Sequence, residues 1–306
     1  MLALPFSLAG WQVLALVSAL VWACVNVVDK YVLSKKFSGS AVACALTGIS
    51  SLVACAFVLL LGTPAIPSLP VIAALLFTGF LIVASFFFYY EALRAEEVSR
   101  VIPVFLLDPI FTALFAGILI SEILSPAGYA GIALIVAGTL GLSVKDFKSL
   151  RQLKFSKGVL MAFASILLFS LSGPPLKWAL SSVNVQTAFF WQRAGVALFA
   201  IPFFLKSSKE VKAVFASRQK AGLLFVAASM VSVAAVYIYT QSVSEGLLSV
   251  VAALGAIQPL FVLVLAAAIG FVAPGVLEED TGSKSFFAKL ASIAAMAVGT
   301  FLVVGG

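Results

Sequence analysis

The feature that most constrains this chain is a succession of apolar stretches, each about 20 residues long and separated by short polar segments. The chain is 63% hydrophobic and only 10% charged, whereas a soluble domain is about half apolar and a quarter charged. The core of a water-soluble domain cannot bury so many apolar residues, whereas lipid can surround them. We therefore predict an all-α integral membrane protein with ten spanning helices, at residues 11–33, 41–62, 70–91, 98–120, 127–144, 158–180, 186–205, 221–243, 246–272 and 286–305.

The positive charges fall on one side of the membrane in this arrangement. The segments after the odd-numbered spans hold 17 of the 19 Lys and Arg residues, namely Lys30, Lys35, Lys36, Arg94, Arg100, Lys145, Lys148, Arg151, Lys154, Lys157, Lys206, Lys209, Lys212, Arg218, Lys220, Lys284 and Lys289. Because basic loops stay in the cytoplasm, we predict a multi-pass cell (plasma) membrane protein with cytoplasmic basic loops and both termini outside. No single helix face concentrates the charge, which argues against a nucleic-acid partner.

The two halves of the chain align with each other. The recurring positions are Lys30 with Lys177, Asp108-Pro109 with Gln258-Pro259, and Gly138-Thr139 with Gly299-Thr300. We predict two five-helix repeats, at 1–146 and 155–306, joined by a basic linker at 147–154. Because five is an odd number, the second repeat inserts upside down relative to the first. Inverted repeats around a central cavity are the architecture of many secondary transporters.

Four motifs follow one another in the first half: F-Y-Y-E-A-L at 88–93, E-V-S-R-V at 97–101, D-P-I-F-T-A-L at 108–114, and Ser121-Glu122 followed by Gly131 and Gly138. With Trp22, Lys30 and Arg193, they resemble EamA-type members of the drug/metabolite transporter superfamily, and the resemblance covers both halves. It implies ten helices, a central cavity and movement of small metabolites, often amino acids, commonly outward. The halves differ where Asp108 aligns with Gln258 and where Glu122 aligns with Val272.

Charged and polar side chains inside apolar spans are the candidates for substrate binding and coupling. Asp108 lies about 12 Å into the fourth span, where a carboxylate costs about 2.5–3.5 kcal/mol. It should therefore face a wet cavity, meet a neighbouring helix or carry a proton. Arg193 either binds a carboxylate or phosphate, pairs with Asp108 or Glu91, or extends to the interface. The other candidates are Gln258, Trp22, Tyr90, Tyr239 and Trp191.

Prolines mark the candidate hinges. Pro109 and Pro259 each remove a helical hydrogen bond and free the carbonyl four residues before them. Those carbonyls either line a binding site or result from a kink that serves packing. The sequence Gly173-Pro174-Pro175 must interrupt the sixth span, because two consecutive prolines remove two backbone donors.

Lys30 and Lys177, at corresponding ends of the first and sixth spans, are candidates for opposite mouths of the cavity; alternatively, they anchor helix ends at the interface. The chain has no histidine, and its three cysteines form no CxxC pair. We therefore predict no metal site, no cofactor and no catalytic residue. No GxxxxGK[ST] motif supplies ATP coupling.

We thus expect a secondary active transporter, an exporter of small polar metabolites such as amino acids, that works by alternating access. The candidate coupling ion is the proton, and the protein is a monomer or homodimer. The alternative is a flippase or antiporter for phosphate-bearing or lipid-linked sugar substrates, because basic residues on one face suit phosphate. A membrane enzyme lacks supporting residues, and Asp108 with the broken helices argues against an inert scaffold.

Overall fold

A computed structural model describes residues 9–33, 39–96, 98–143, 156–217, 219–272 and 283–305, and within these ranges the protein is all-helical. The helices are α1 (Gly10–Leu33), α2 (Ser40–Leu61), α3 (Leu69–Ala95), α4 (Val98–Phe105), α5 (Asp108–Ile120), α6 (Pro126–Ser143), α7 (Lys157–Leu171), α8 (Gly173–Leu180), α9 (Val185–Ser217), α10 (Gln219–Glu245), α11 (Leu248–Gly255), α12 (Gln258–Val272) and α13 (Ser283–Gly305). The predicted all-α class is confirmed. The predicted linker at 147–154 lies outside the described residues.

Seven helical stretches of the described chain are long and apolar enough to cross a membrane. They are Ser40–Leu61, Leu69–Ala95, Pro103–Ile120, Pro126–Ser143, Lys157–Leu180, Val185–Ala213 and Leu248–Leu265. Three of them are composite, because each joins two of the helices across a short break. The protein is therefore a multi-pass integral membrane protein. The other three predicted spans coincide with α1, α10 and α13, which have 24, 27 and 23 residues.

The surface of the bundle is apolar and the interior is rich in small residues. Large aliphatic side chains such as Leu60 and Ile66 are each 84% exposed, which suits lipid as the surrounding solvent. Alanine, serine and threonine occupy many fully buried positions. Lipid tails are as apolar as leucine, so helices in a membrane gain most from close backbone approach, and small residues allow it.

Two helix pairs show this close approach most clearly among the described residues. α6 packs on α13 where Gly131 faces Gly299, and a Cβ on either glycine would meet the carbonyl oxygen of the other. α2 packs on α9 where Gly48 faces Ala200. Both pairs join the first half of the chain to the second half.

Two further pairs, α1 with α10 and α3 with α7, also join the halves. On the first, the Ser242 hydroxyl donates to the Trp11 carbonyl oxygen at 2.7 Å. On the second, the Ser165 hydroxyl donates to the Ser85 carbonyl oxygen at 2.8 Å. All four helices contribute to the interface that holds the polar residues described next.

Candidate functional site

Two composite spans break at matching places, and each break is followed by a polar residue and a proline. α4 ends at Phe105 and α5 begins at Asp108, while α11 ends at Gly255 and α12 begins at Gln258. A proline fits the first turn of a helix, because the N–H it lacks would have no partner there. The two prolines after Asp108 and Gln258 therefore begin new helices and do not kink continuous ones. At the second break, the Thr139 hydroxyl donates to the Ala256 carbonyl oxygen at 3.1 Å.

Asp108 is held by hydroxyl groups from both halves of the chain. Its Oδ1 accepts a hydrogen bond of 2.6 Å from the Ser170 hydroxyl on α7 and one of 3.1 Å from the Thr112 hydroxyl on α5. Its position in the first turn of α5 places the carboxyl group near the positive end of the helix dipole, which favours the ionised form. Short bonds to an ionised acceptor are roughly twice as strong as neutral ones. The contact with Ser170 therefore ties the broken fourth span to the sixth.

Trp22 on α1 and Tyr239 on α10 pack against each other. Their ring centroids are 5.7 Å apart and the ring planes are inclined at 45°. Trp22 and Tyr239, two of the candidates proposed from the sequence, are therefore in contact, and Tyr239 packs against the same apolar cluster as Leu107, the neighbour of Asp108.

Glu122, just beyond the end of α5, binds the beginning of α11. Its two carboxylate oxygens accept hydrogen bonds from the backbone N–H groups of Leu248 at 2.8 Å and Ser249 at 2.7 Å. The preceding residue, Ser121, has a φ of 56° in the left-handed region, which ends α5 and turns the chain. Glu122 is 8% exposed, so these are buried, charge-assisted contacts across 126 and 127 residues of sequence.

Lys177, on α8, binds the end of α10. Its Nζ donates to the carbonyl oxygens of Val243 and Gly246, both at 2.7 Å. A cation is favourable at the carbonyl end of a helix, and an anion at the N–H end. Lys177 and Glu122 therefore hold the short α10–α11 junction, residues 246–247, from its two sides.

The same junction is covered by an aromatic ring. Trp11 lies directly against Gly246, and a Cβ at that position would overlap the indole ring. Because Gly246 has no side chain, the α10–α11 junction approaches the beginning of α1 closely. The junction is closed on this side by packing as well as by hydrogen bonds.

Residues 9–144 match the sequence profile of the EamA-like transporter family. These residues belong to that family. The resemblance to EamA-type transporters that the motifs of the first half predicted is therefore confirmed for this stretch of the chain. The EamA-like stretch includes Trp22, Asp108, Thr112 and Glu122.

The comparison with solved structures supports the same fold for the whole chain. One crystal structure, described only as that of a protein, superposes with a TM-score of 0.70 at 20% identity and covers 97% of this chain and 99% of its own. At that identity the likeness concerns the fold alone. No curated protein matches the sequence.

Arg193 lies outside the EamA-like stretch, on α9, and is 8% exposed. Its Nη2 donates to the Gln192 side-chain oxygen at 3.3 Å, and the guanidinium lies 5.4 Å from the centroid of the Phe189 ring. Its Nε is buried without a hydrogen-bond partner. The burial argues against an arginine that extends to the membrane interface.

The pairing of Arg193 with Glu91 or Asp108, weighed from the sequence, is not formed. Within the described part of the chain, the one ion pair shorter than 4.0 Å joins Arg94 to Glu91 at 3.3 Å. Glu91 also accepts a 2.6 Å hydrogen bond from the Ser40 hydroxyl. The hydrogen bond with Ser40 holds the end of α3 against the beginning of α2.

The remaining aromatic candidates, Trp191 and Tyr90, make other contacts. Trp191 donates its indole N–H to the Ala65 carbonyl oxygen at 3.1 Å, in the segment between α2 and α3. Tyr90 packs on Tyr89, whose ring meets that of Phe105 at 4.8 Å. Tyr89 therefore contacts the end of α4, whereas Trp191 binds the segment between α2 and α3.

The interruption expected at the double proline falls at Ser172, between α7 and α8. Gly173, Pro174 and Pro175 form the first turn of α8, and Gly173 packs against the side chain of Leu248. The break therefore lies next to the α10–α11 junction. Lys30 lies on α1, but its side chain is outside the described residues.

Proposed function

We propose that the chain is a secondary active transporter that exports small polar metabolites, such as amino acids, by alternating access. It has ten spanning helices, arranged as two inverted five-helix repeats at 1–146 and 155–306. The carrying observation is the hydrogen bond between Asp108 and Ser170, because it places a membrane-embedded carboxylate at the contact between the two halves. An intramembrane carboxylate in such a position is a functional-site candidate by default.

The matched helix breaks support the inverted repeat. Residues 106–107 and 256–257 interrupt the fourth and ninth spans at an offset of 150, and each interruption precedes a polar-Pro pair. The packing partners of the helices also correspond between the two halves. α1 packs on α10 as α7 packs on α3, which is the pattern that a pseudo-two-fold axis between the halves produces.

The contacts at the two ends of these helix pairs also correspond. Trp11 lies against Gly246 at the α10–α11 junction, and Gly158 lies against Glu96 at the α3–α4 junction. In the proposed repeat, Trp11 corresponds to Gly158 and Gly246 corresponds to Glu96. The two junctions then serve as opposite gates of one central site.

The central site in this proposal is the group of Asp108, Gln258, Trp22 and Tyr239. Trp22 and Tyr239 supply flat apolar walls with a hydroxyl. Asp108 and Gln258 supply hydrogen-bonding groups at broken helices, as discontinuous helices do in other transporters. Asp108 is the candidate proton carrier, and the breaks at Pro109, Pro259 and Gly173–Pro175 are candidate hinges.

The α10–α11 junction is the candidate outer gate. It lies on the face without the basic loops, which the positive-inside rule places outside the cell membrane. Both termini are proposed to lie on that face. Lys177 and Glu122 hold this gate closed, and the export cycle must release their contacts.

Uptake by proteoliposomes tests the proposal. The folded full-length protein would be reconstituted with a panel of amino acids, organic acids, nucleotides and sugar phosphates, with and without a pH gradient. We expect saturable, gradient-dependent uptake of one class of small polar solute. Lack of transport of every solute by folded protein would refute the proposed activity. Transport confined to sugar phosphates or lipid-linked sugars would favour the alternative substrate class.

A further inference from the structure

Arg193 carries more hydrogen-bonding capacity than the protein uses. A guanidinium has five N–H donors and cannot be deprotonated in a protein. One donor reaches Gln192, and the buried Nε has no partner. Among the described residues, no carboxylate lies within 4.0 Å of this group. No carboxylate of the described chain therefore lies close enough to form an ion pair with Arg193.

The surroundings of Arg193 are apolar. Phe189 packs in a cluster with Ala54 and Val58 of α2 and Val233 of α10, and its ring lies beside the guanidinium. In such a low-dielectric setting an unpaired charge is costly, and attraction to an opposite charge is much stronger than in water. Arg193 is 8% exposed, so its unmet hydrogen-bonding capacity lies inside the helix bundle.

The fold itself does not require a cation at this place. In the proposed repeat, an offset of 147 aligns Arg193 with Leu46, a buried leucine on α2 that is 1% exposed. The corresponding site of the first half is thus filled by an ordinary apolar side chain. The arginine is a special feature of the second half.

We propose that Arg193, with the adjoining Gln192, forms an anion-binding subsite between α2, α9 and α10 that takes the carboxylate or phosphate group of a soluble solute. The planar guanidinium matches such groups in a bidentate fashion. As part of the proposed transport cycle, which this inference extends, the subsite restricts the substrates to solutes that carry an anionic group. The bound anion supplies the charge that balances Arg193.

Thermal unfolding in nanodiscs of zwitterionic lipid tests this subsite. Sodium phosphate and sodium acetate are titrated separately into the full-length protein at constant ionic strength, balanced with sodium chloride. Arg94→Gln is the matched control, because Arg94 is 61% exposed and pairs with Glu91. We expect a saturable rise in Tm with one of the two anions in the parent protein and in Arg94→Gln.

Arg193→Gln should lose that rise while unfolding at the same or a higher temperature than the parent protein in chloride alone, because an uncompensated buried charge has been removed. Arg193→Lys keeps the charge without the planar fork, so we expect binding that is about tenfold weaker. An arginine with a merely structural role would instead give an Arg193→Gln protein of lower Tm with unchanged anion binding, which overturns the proposal. A lysine variant that binds as well as the parent overturns the bidentate contact.

The same titration in nanodiscs with anionic lipid separates the two sources of the anion. A Tm that rises with the lipid and ignores soluble phosphate and acetate overturns the assignment to a solute. Failure of this subsite is distinguishable from failure of the transport proposal. Saturable uptake that is unchanged in Arg193→Gln refutes the subsite alone, whereas anion binding without uptake of any solute refutes transport alone.

Discussion

Glu122 and Lys177 bind the two sides of the same helix junction. The Glu122 carboxylate accepts from the first N–H groups of α11, and the Lys177 ammonium donates to the carbonyl oxygens of Val243, near the end of α10, and of Gly246, just beyond it. Each charge matches the helix end that it contacts. The two residues come from different halves of the chain, so this junction stays closed only while the halves keep their present arrangement.

Replacing Glu122 by Ala should destabilise the closed junction. Two buried N–H groups lose their acceptor, and an unsatisfied buried donor costs about 1–3 kcal/mol. We expect a lower Tm and faster labelling of a cysteine introduced at Ser249 in a cysteine-free background, measured from the outer face. Glu245→Gln is the control, because Glu245 is exposed near the same junction and accepts from Gln241. Equal labelling of the two variants would exclude Glu122 as a gate residue.

Lys177→Met and Glu122→Gln should show coupled effects on stability. Both side chains hold one junction, and networked residues typically couple by about 0.5–3 kcal/mol. A double-mutant cycle on unfolding free energies in detergent measures this coupling. Lys206→Met, an exposed position on α9, replaces Lys177→Met in the control cycle and should be additive with Glu122→Gln. Additivity in both cycles would show that Lys177 and Glu122 act independently.

Gly246→Leu should prevent closure of the α10–α11 junction, because the new side chain occupies the space of the Trp11 ring. We expect lower transport and greater outer accessibility of the Ser249→Cys probe. Trp11→Ala should rescue both in the double variant by removing the obstructing ring. Gly10→Leu is the control, since nothing lies within 4 Å of a Cβ at Gly10. The steric account fails if Trp11→Ala does not rescue.

Asp108→Asn should abolish the dependence of uptake on a pH gradient, because an amide cannot carry the coupling proton. Ser170→Ala keeps the carboxylate but removes its 2.6 Å hydrogen bond. A bond to a charged group contributes about 1.5–3 kcal/mol, so uptake at low substrate concentration should fall about tenfold or more. Glu210→Gln, on the exposed surface of α9, should leave both properties unchanged. Asp108→Asn protein that still responds to the gradient is the result that rejects proton coupling.

The orientation can be measured directly. With ten spans and cytoplasmic basic loops, a reporter fused after Gly306 should be detected outside the cell. A cysteine at the exposed Ser182, between α8 and α9, should then react with an impermeant reagent added outside. Both measurements report the same face of the membrane. Cytoplasmic signals from both would show that the α10–α11 junction lies on the inner face and not on the outer face.

The sequence predicted the helices well because the physical requirement is simple. Backbone groups in hydrocarbon must be satisfied within the segment, so long apolar runs become helices. The breaks before Asp108 and Gln258 also follow from local chemistry, since each precedes a proline that cannot donate. Trp22 meets Tyr239, and Asp108 meets Ser170, as polar or amphipathic residues on helices at the contact between the halves.

The contacts of individual side chains could not be predicted in this way. Helices such as α3 are apolar on every face, so periodicity does not show which face meets a neighbour. The Trp191 hydrogen bond to the α2–α3 segment depends on that rotation. Glu122 was visible as a residue whose counterpart is Val272, but its target is backbone at Leu248, and backbone donors leave no trace in the sequence.

The glycine contact between α6 and α13 has a mechanical consequence. Because Gly131 and Gly299 bring two backbones together without intervening side chains, neither helix can slide along or turn against the other without collision. We therefore expect these two helices to keep a fixed position relative to each other, even though they come from opposite halves of the chain. In the proposed transport cycle, relative displacement then occurs among the broken helices, where Asp108 and the α10–α11 junction lie. A covalent bridge between α6 and α13 should leave the transport rate intact.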